Sequence, residues 1–269
     1  MLNLGHNGGK PNTVGGILRY WRRLKKMSQM ELALNANVSS RHLSFVETGK
    51  AQPSRNLILR IADSLNLPFR QRNALLRAAG YVSEFRNVSF NAAEMDIVHD
   101  ALRRMLAKHE PYPAVVVNTA YEILMTNTGF DRIVTWCAGE DALRKHGNIY
   151  RLVFAEDGLR PCFKDWPVVE RFLRARLLAE VISTQNEDLI ALYEDIIATE
   201  TNEEEPDFQI EQNIPVMSFT LQKGSRQASF FSTITTFGTP LDVTTQELRI
   251  ESLFPADEAT RQLFHTAAF

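Results

Sequence analysis

The sequence lacks the marks of several large protein classes. It has two cysteines in 269 residues, Cys137 and Cys162, with no CxxC pair and no histidines grouped near them. That usage fits a reducing cytoplasm and speaks against a zinc site. No apolar run approaches the roughly 18 residues of a spanning helix, and the opening MLNLGHNGGKPNT has no apolar signal core. No P-loop, GxGxxG, GxSxG or HExxH occurs, and the histidines at 6, 42, 99, 109, 146 and 265 are scattered. These absences argue against an enzyme, a metal centre and a membrane partner. No repeat or low-complexity tract is present either.

Net charge is also small, −2, but it is unevenly placed. Residues 1–80 hold 13 Lys+Arg against 3 Asp+Glu, and the remainder holds 17 against 29. A head of +10 on a body of −12 is the pattern of a polyanion-binding head on a soluble body, or of a basic surface with no partner. The length favours two domains, and a hydrophobic fraction of 44% is ordinary for a globular chain.

Residues 1–12 carry three glycines, three asparagines and a proline without periodicity, as a flexible arm would. From Thr13, helical spacing begins: Val14, Ile17, Leu18, Trp21 and Leu24 share a face, with Arg19, Arg22, Arg23, Lys25 and Lys26 elsewhere. Ser28-Gln29-Met30-Glu31 has the form of a capping box, and its helix stops at Asn35-Ala36-Asn37. Ser39 caps a third helix, in which Leu43 and Val46 set the buried direction. Arg41, Ser44, Phe45 and Thr48 then point away from the core, with Ser40 and His42 on the flanks. Gly49 ends that helix, Pro53-Ser54 opens a fourth, and Pro68 separates a fifth that ends at Gly80. Five short helices over 13–80, the second and third joined by a tight turn, predict an all-α helix-turn-helix domain.

The series SQMELA, NVSSRHLSFVETGK and PSRNLILRIADSLNLP resembles the XRE (lambda-repressor-like) helix-turn-helix family. The resemblance implies that the third helix enters the major groove. Ser40 and Arg41 would face bases there, with Ser44 and Phe45 following along the groove. It implies that Gln29 clamps a backbone phosphate and that Glu47 pairs with Arg22. Asn37 stands where the family most often has Gly, and Asn tolerates the same left-handed geometry. Side-chain chemistry agrees: Arg41 can donate twice to guanine O6 and N7. Phe45 has two readings, contact with a thymine methyl or packing against the first helix or the second domain. His42 reads as a phosphate donor or a surface residue, and Gln29, Arg55 and the Lys25/Lys26 pair as phosphate contacts.

Periodicity is lost over 81–92, which reads as a linker to a second domain, 93–269. A helix is expected over about 93–108, with Ile97, Leu102, Met105 and Leu106 on its apolar side. A strand pair follows at 114–118 and 121–125, then helices at about 128–137, 148–154, 165–182 and 187–200. The stretch 200–207 (ETNEEEPD) reads as a solvated acidic loop. Strands are expected over 214–223 and 227–237, around a Gly224-Ser225 turn. Another is expected over 248–254, where apolar and charged residues alternate and so present one covered and one wet face. The whole is an α+β domain with a mainly antiparallel sheet. Asp242 and the PADEAT segment read as turn or cap residues.

Nearly the entire chain is also similar to the MmyB-like transcription regulators, through RNALLRAAGY, HEPYPAVVVN, NIYRLVFAEDGLRP and FFSTITTFGTPLDVTTQELRIESLFPADEAT. That resemblance implies a PAS-like ligand-binding domain able to hold a fatty acid or similar apolar ligand. Trp136, Phe154, Phe163, Trp166, Phe219 and Phe230 are candidates to line its site, and each also suits an ordinary core. Arg151 and Arg160 are candidates to hold a carboxylate, or to pair with Glu156 or Asp157. The expectation is a cytoplasmic regulator at the bacterial nucleoid. It binds a palindromic operator as a homodimer and is modulated by a small apolar effector. The rival reading makes the second domain a dimerisation or protein-interaction module without a ligand.

Overall fold

The computed structural model describes residues 13–198 and 216–265. Two compact units emerge, one drawn from Met1–Ser89 and Thr239–Gln246, the other from Phe90–Gly238 and Glu247–Phe269. The arm expected over 1–12 and the acidic loop expected over 200–207 lie outside the described residues.

The first unit contains α1 (Val14–Leu24), α2 (Gln29–Asn35), α3 (Ser40–Glu47), α4 (Arg55–Ser64) and α5 (Phe69–Ala78). Hydroxyls begin four of the five, because an Ncap oxygen satisfies an amide that the helix cannot. Thr13 accepts from Gly16 N, Ser39 from His42 N and Ser54 from Leu57 N, while Ser28 and Glu31 complete a reciprocal capping box. Asn37 takes a φ of 51°, the left-handed geometry that lets the chain turn between α2 and α3. Leu18, Trp21, Leu32, Leu43, Val46, Ile58, Ile61, Leu75 and Leu76 form one core. Gly15 lets α1 approach the end of α3: a Cβ there would lie 2.3 Å from Val46 O.

The second unit begins with a 3-10 turn, Ala93–Met95, and continues through α6 (Asp96–His109), β1 (Ala114–Val117) and β2 (Ile123–Thr126). Next come α7 (Thr128–Ala138), α8 (Ala142–Lys145), α9 (Ile149–Phe154), α10 (Trp166–Thr184) and α11 (Glu187–Ala198). The remaining elements are β3 (Ser218–Lys223), β4 (Arg226–Thr235), α12 (Val243–Glu247), β5 (Arg249–Pro255) and α13 (Glu258–His265). The strands form one antiparallel sheet in the order β2-β1-β5-β4-β3. Val115 pairs with Glu251, and Ser232 with Leu253, so these four side chains share a face.

Several expectations change. Of the apolar side expected for α6, Leu102 and Leu106 are buried, whereas Ile97 and Met105 are exposed. The helix is packed along a narrower stripe than its apolar residues suggest. Tyr121 does not begin a strand; it sits at φ 63° in the turn before β2. Helices α8, α12 and α13 were not expected as helices. The alternating strand β5 has no wet face: Arg249 and Glu251 meet Glu180 and Arg176 of α10, which supply their counter-charges.

The stretch expected as a linker folds onto the first unit through Ser89. Asn73 donates to Phe85 O at 2.7 Å and accepts from Glu84 N and Phe85 N, and Phe85 stacks on Phe69 at 3.9 Å. Thr239–Gln246, the connection from β4 to β5, belongs to the same unit. Val243 N donates to Arg86 O at 2.8 Å, and the Thr244 hydroxyl donates to Val88 O. Pro68 gives α5 no side-chain cap. Gln246 Oε1 fills that role by accepting from Phe69 N at 2.7 Å. Asp242 in turn caps α12, accepting from Thr245 N at 3.0 Å.

Candidate functional site

On α3, burial divides the residues by role. Leu43 and Val46 face the core. Ser40 and Arg41 are exposed, and His42, Ser44 and Phe45 are half-buried. The Arg41 guanidinium lies 5.5 Å from the Phe45 ring centroid and Lys50 Nζ lies 6.0 Å from it. Phe45 therefore supports Arg41 at the surface by a cation–π contact.

Glu47 is only 4% exposed. Arg22 donates to it twice, Nε to Oε1 at 2.7 Å and Nη2 to Oε2 at 2.9 Å, and gives Nη1 to Met27 O at 3.0 Å. Burial alone would raise the Glu47 pKa, but the Arg22 hydrogen bonds and charge, with Gln29 and Arg19, hold it below the ordinary carboxylate value. The same contact raises the Arg22 pKa. This pair ties the end of α3 to α1. Gln29 Nε2 donates to Glu47 Oε2 at 3.0 Å, so its side chain closes this cluster. Arg55 pairs with Glu84 in the folded-back stretch.

In the second unit an apolar cavity of about 240 Å³ lies between the sheet, α7, α9 and α10. The inward faces of β1, β3, β4 and β5 contribute Val115, Phe219, Leu221, Ser232 and Leu253, and the helices contribute Phe130, Tyr150 and Phe172. Four of its polar residues, Tyr121, Tyr150, Arg176 and Glu251, form one chain of contacts that makes a polar end. Arg176 Nη1 reaches Glu251 Oε1 at 3.4 Å, and Arg249 pairs with Glu180. The Tyr121 hydroxyl donates to Glu180 at 2.6 Å and accepts from Arg249 at 3.2 Å, and Tyr150 donates to Leu173 O at 3.4 Å. Burial pushes the Tyr121 hydroxyl up to about 12 and that of Tyr150 well above its ordinary value, so both remain hydrogen-bond donors. Burial opposes the Arg176 charge, but Glu251 and the two tyrosines more than offset it and hold the guanidinium protonated.

Of the expected lining residues, Phe163 and Phe219 border this cavity. Phe154 and Trp166 stand behind its wall, with Trp166 edge-on to Phe154 at 5.1 Å and tilted against Phe163 at 5.7 Å. Phe230 is fully buried between Phe219 and Phe264. Trp136 lies at the end of α7, where its carbonyl accepts from Lys223. The two arginines expected to hold a carboxylate are elsewhere. Arg151 pairs with Asp195 at 3.1 Å, and Arg160 with Glu156 at 3.0 Å, four residues away on the chain. Local acidic neighbours neutralise both. Sequence reasoning missed Arg176, Glu180, Arg249 and Glu251. Their signal was faint: an Arg-x3-Glu step on a long apolar helix and an Arg-x-Glu step on a strand, two pairs that each share one face.

Comparison with known proteins gives two family matches. Residues 98–266 match the family described as MmyB-like transcription regulator ligand binding domain, and residues 18–71 match the family described as helix-turn-helix. Both are domains of transcription regulators rather than enzymes. Comparison with curated proteins finds no match. A solved structure titled "Structure of an RNA-binding Light-Oxygen-Voltage Receptor" aligns with 94% of this chain at 12% identity and a TM-score of 0.25. The present chain covers 63% of that structure's length. No helix among the described residues is long and apolar enough to cross a membrane.

Proposed function

Since the chain belongs to the MmyB-like transcription regulators, we propose that it is a homodimeric, sequence-specific regulator whose operator binding is modulated by a small apolar effector, a medium-chain fatty acid or a molecule like it. A protein of this kind works in the bacterial cytoplasm, at the nucleoid. Its DNA-binding unit reads a palindromic operator with α3 of each copy in successive major grooves, half-sites about 34–36 Å apart. Arg41 and Ser40 meet base edges, Ser44 and Phe45 follow the groove, and Gln29, His42 and Arg55 approach phosphates.

One observation carries the regulatory part. The chain leaves the cavity-forming sheet after β4, caps and clasps the DNA-binding unit over Thr239–Gln246, and returns to the sheet as β5. Glu251 and Leu253 on β5 line the cavity. An occupant that shifts β5 therefore pulls on the cap of α5, and effector and operator become linked through one segment of backbone.

Mass spectrometry of an organic extract of the native protein, with thermal unfolding in the presence of medium-chain fatty acids, tests the effector. A ligand that binds only the native state raises the unfolding midpoint. An empty extract with no shift for any chain length would favour the rival reading, a dimerisation module without a ligand. The double variant Thr244→Val, Gln246→Ala tests the linkage. It is expected to keep effector binding while operator affinity no longer responds to the effector; an unchanged response sinks the clasp as the connection.

A further inference from the structure

The polar end of the cavity is electrically closed but keeps a buried guanidinium donor unused. Two guanidiniums, Arg176 and Arg249, stand against two carboxylates, Glu180 and Glu251. Tyr121 from the turn before β2, Tyr150 from α9 and Ser232 from β4 complete the polar surroundings among the described residues. Arg176 Nη2 is buried and donates to no group in the described residues. A buried donor without an acceptor is costly, and a cavity that leaves one is shaped for a ligand acceptor. Glu251, in contact with Arg176, is acceptor-only while ionised.

The usual expectation for an arginine in an apolar cavity is a carboxylate ligand. The charge balance argues otherwise here. A carboxylate would be the third against two guanidiniums, and it would lie beside Glu251 within apolar walls. Two carboxylates sharing such a site hold one proton between them, because both cannot stay ionised. We propose that the cavity takes the polar end of its effector as an uncharged group that accepts from Arg176 Nη2 and donates to Glu251, namely a protonated carboxylic acid or a primary amide. This rests on the reading of the cavity as the effector site. A carboxylic acid entering from neutral solution then takes up one proton, which the acid and Glu251 share. An amide needs none.

The cavity has room for on the order of ten non-hydrogen atoms at the ~30 Å³ a water occupies in the liquid, so octanoic acid and octanamide are suitable probes. Calorimetric titration of the full chain with each, at pH 6.5 and 8.5 and in buffers of different ionisation enthalpy, decides the question. Octanamide is expected to bind equally at both values. Octanoic acid is expected to weaken about tenfold per pH unit, ~100-fold over the range, with uptake of one proton. The variant Glu251→Gln removes the carboxylate that forces protonation, so octanoic acid then binds equally at both pH values, while octanamide still binds and reports an intact cavity. Octanoate binding that is equal at both pH values in the unaltered protein, without proton uptake, overturns the proposal and leaves the effector site standing. Failure of both probes to bind or to raise the unfolding midpoint overturns the effector site as well.

Discussion

Each unit of the protein buries an arginine–glutamate cluster, and the two are finished differently. In the DNA-binding unit each of the three guanidinium nitrogens of Arg22 donates, and Glu47 receives Arg22 twice, Gln29 once and the Arg19 charge besides. In the cavity unit Arg176 meets Glu251 at one long contact and, among the described residues, leaves Nη2 undonated. A closed cluster holds two helices in register. An open one keeps a valence for something that is not part of the chain. Both are costly to desolvate, so the difference in completion separates structural use from ligand use better than burial does.

The largest effect expected from this comparison is on stability. Removing one partner of a closed buried pair strands the other, so Glu47→Ala should cost the DNA-binding unit about 3–5 kcal/mol. Glu251→Ala should cost the cavity unit less than half of that, because Arg176 is already incompletely paired. Urea unfolding followed separately for the two units measures both. Equal losses would erase the distinction between a closed and an open cluster.

The next effect is on binding alone. Arg41 is exposed and its contacts are to Phe45 rather than to the core. Arg41→Ala should therefore lower specific operator affinity by about 1–3 kcal/mol, roughly 5- to 150-fold, and leave unfolding unchanged. Weak, salt-sensitive binding to any DNA should survive. A gel-shift titration with operator and with random duplex separates the two terms. A comparable loss on both duplexes would make Arg41 a phosphate contact.

Close packing gives a smaller change. Gly15→Ala drives a Cβ toward the Val46 and Glu47 carbonyls and should cost about 1–3 kcal/mol by forcing α1 from α3. The sequence contains no hint of that approach. It does contain the helix starts, since Thr13, Ser28, Ser39 and Ser54 each act on the amide three residues away. The third helix was legible for the same reason: its caps, core pair and exposed arginine lie within ten residues. The cavity was not. Arg176 and Glu251 are 75 residues apart on the chain. On α10 apolar residues occur on all sides, so periodicity marks no ligand face. Arg151 and Arg160 attracted attention through a motif and turned out to be neutralised by acids nearby. The clasp of Thr239–Gln246 on α5 joins residues 177 apart, and no local pattern announces it.

The smallest effect sharpens the closed cluster itself. Gln29 gives Glu47 one hydrogen bond among several, and a hydrogen bond to a charged group contributes about 1.5–3 kcal/mol at most. Gln29→Ala should cost near the lower end, since Arg22 still holds both carboxylate oxygens. The pH dependence identifies the cause. The folded pKa of Glu47 lies below its unfolded value. Its contribution to stability is therefore fully present above the ordinary glutamate value of about 4.3, and is lost as pH falls through the lower folded value. Removing Gln29 raises that folded value part of the way back, so the variant should lose stability at neutral pH and converge on the unaltered protein in acid. A deficit that persisted unchanged below the folded value would mean that Gln29 acts through helix packing rather than through Glu47. A variant with unaltered stability but weaker binding to every duplex would assign Gln29 to phosphate contact alone and take it out of the cluster.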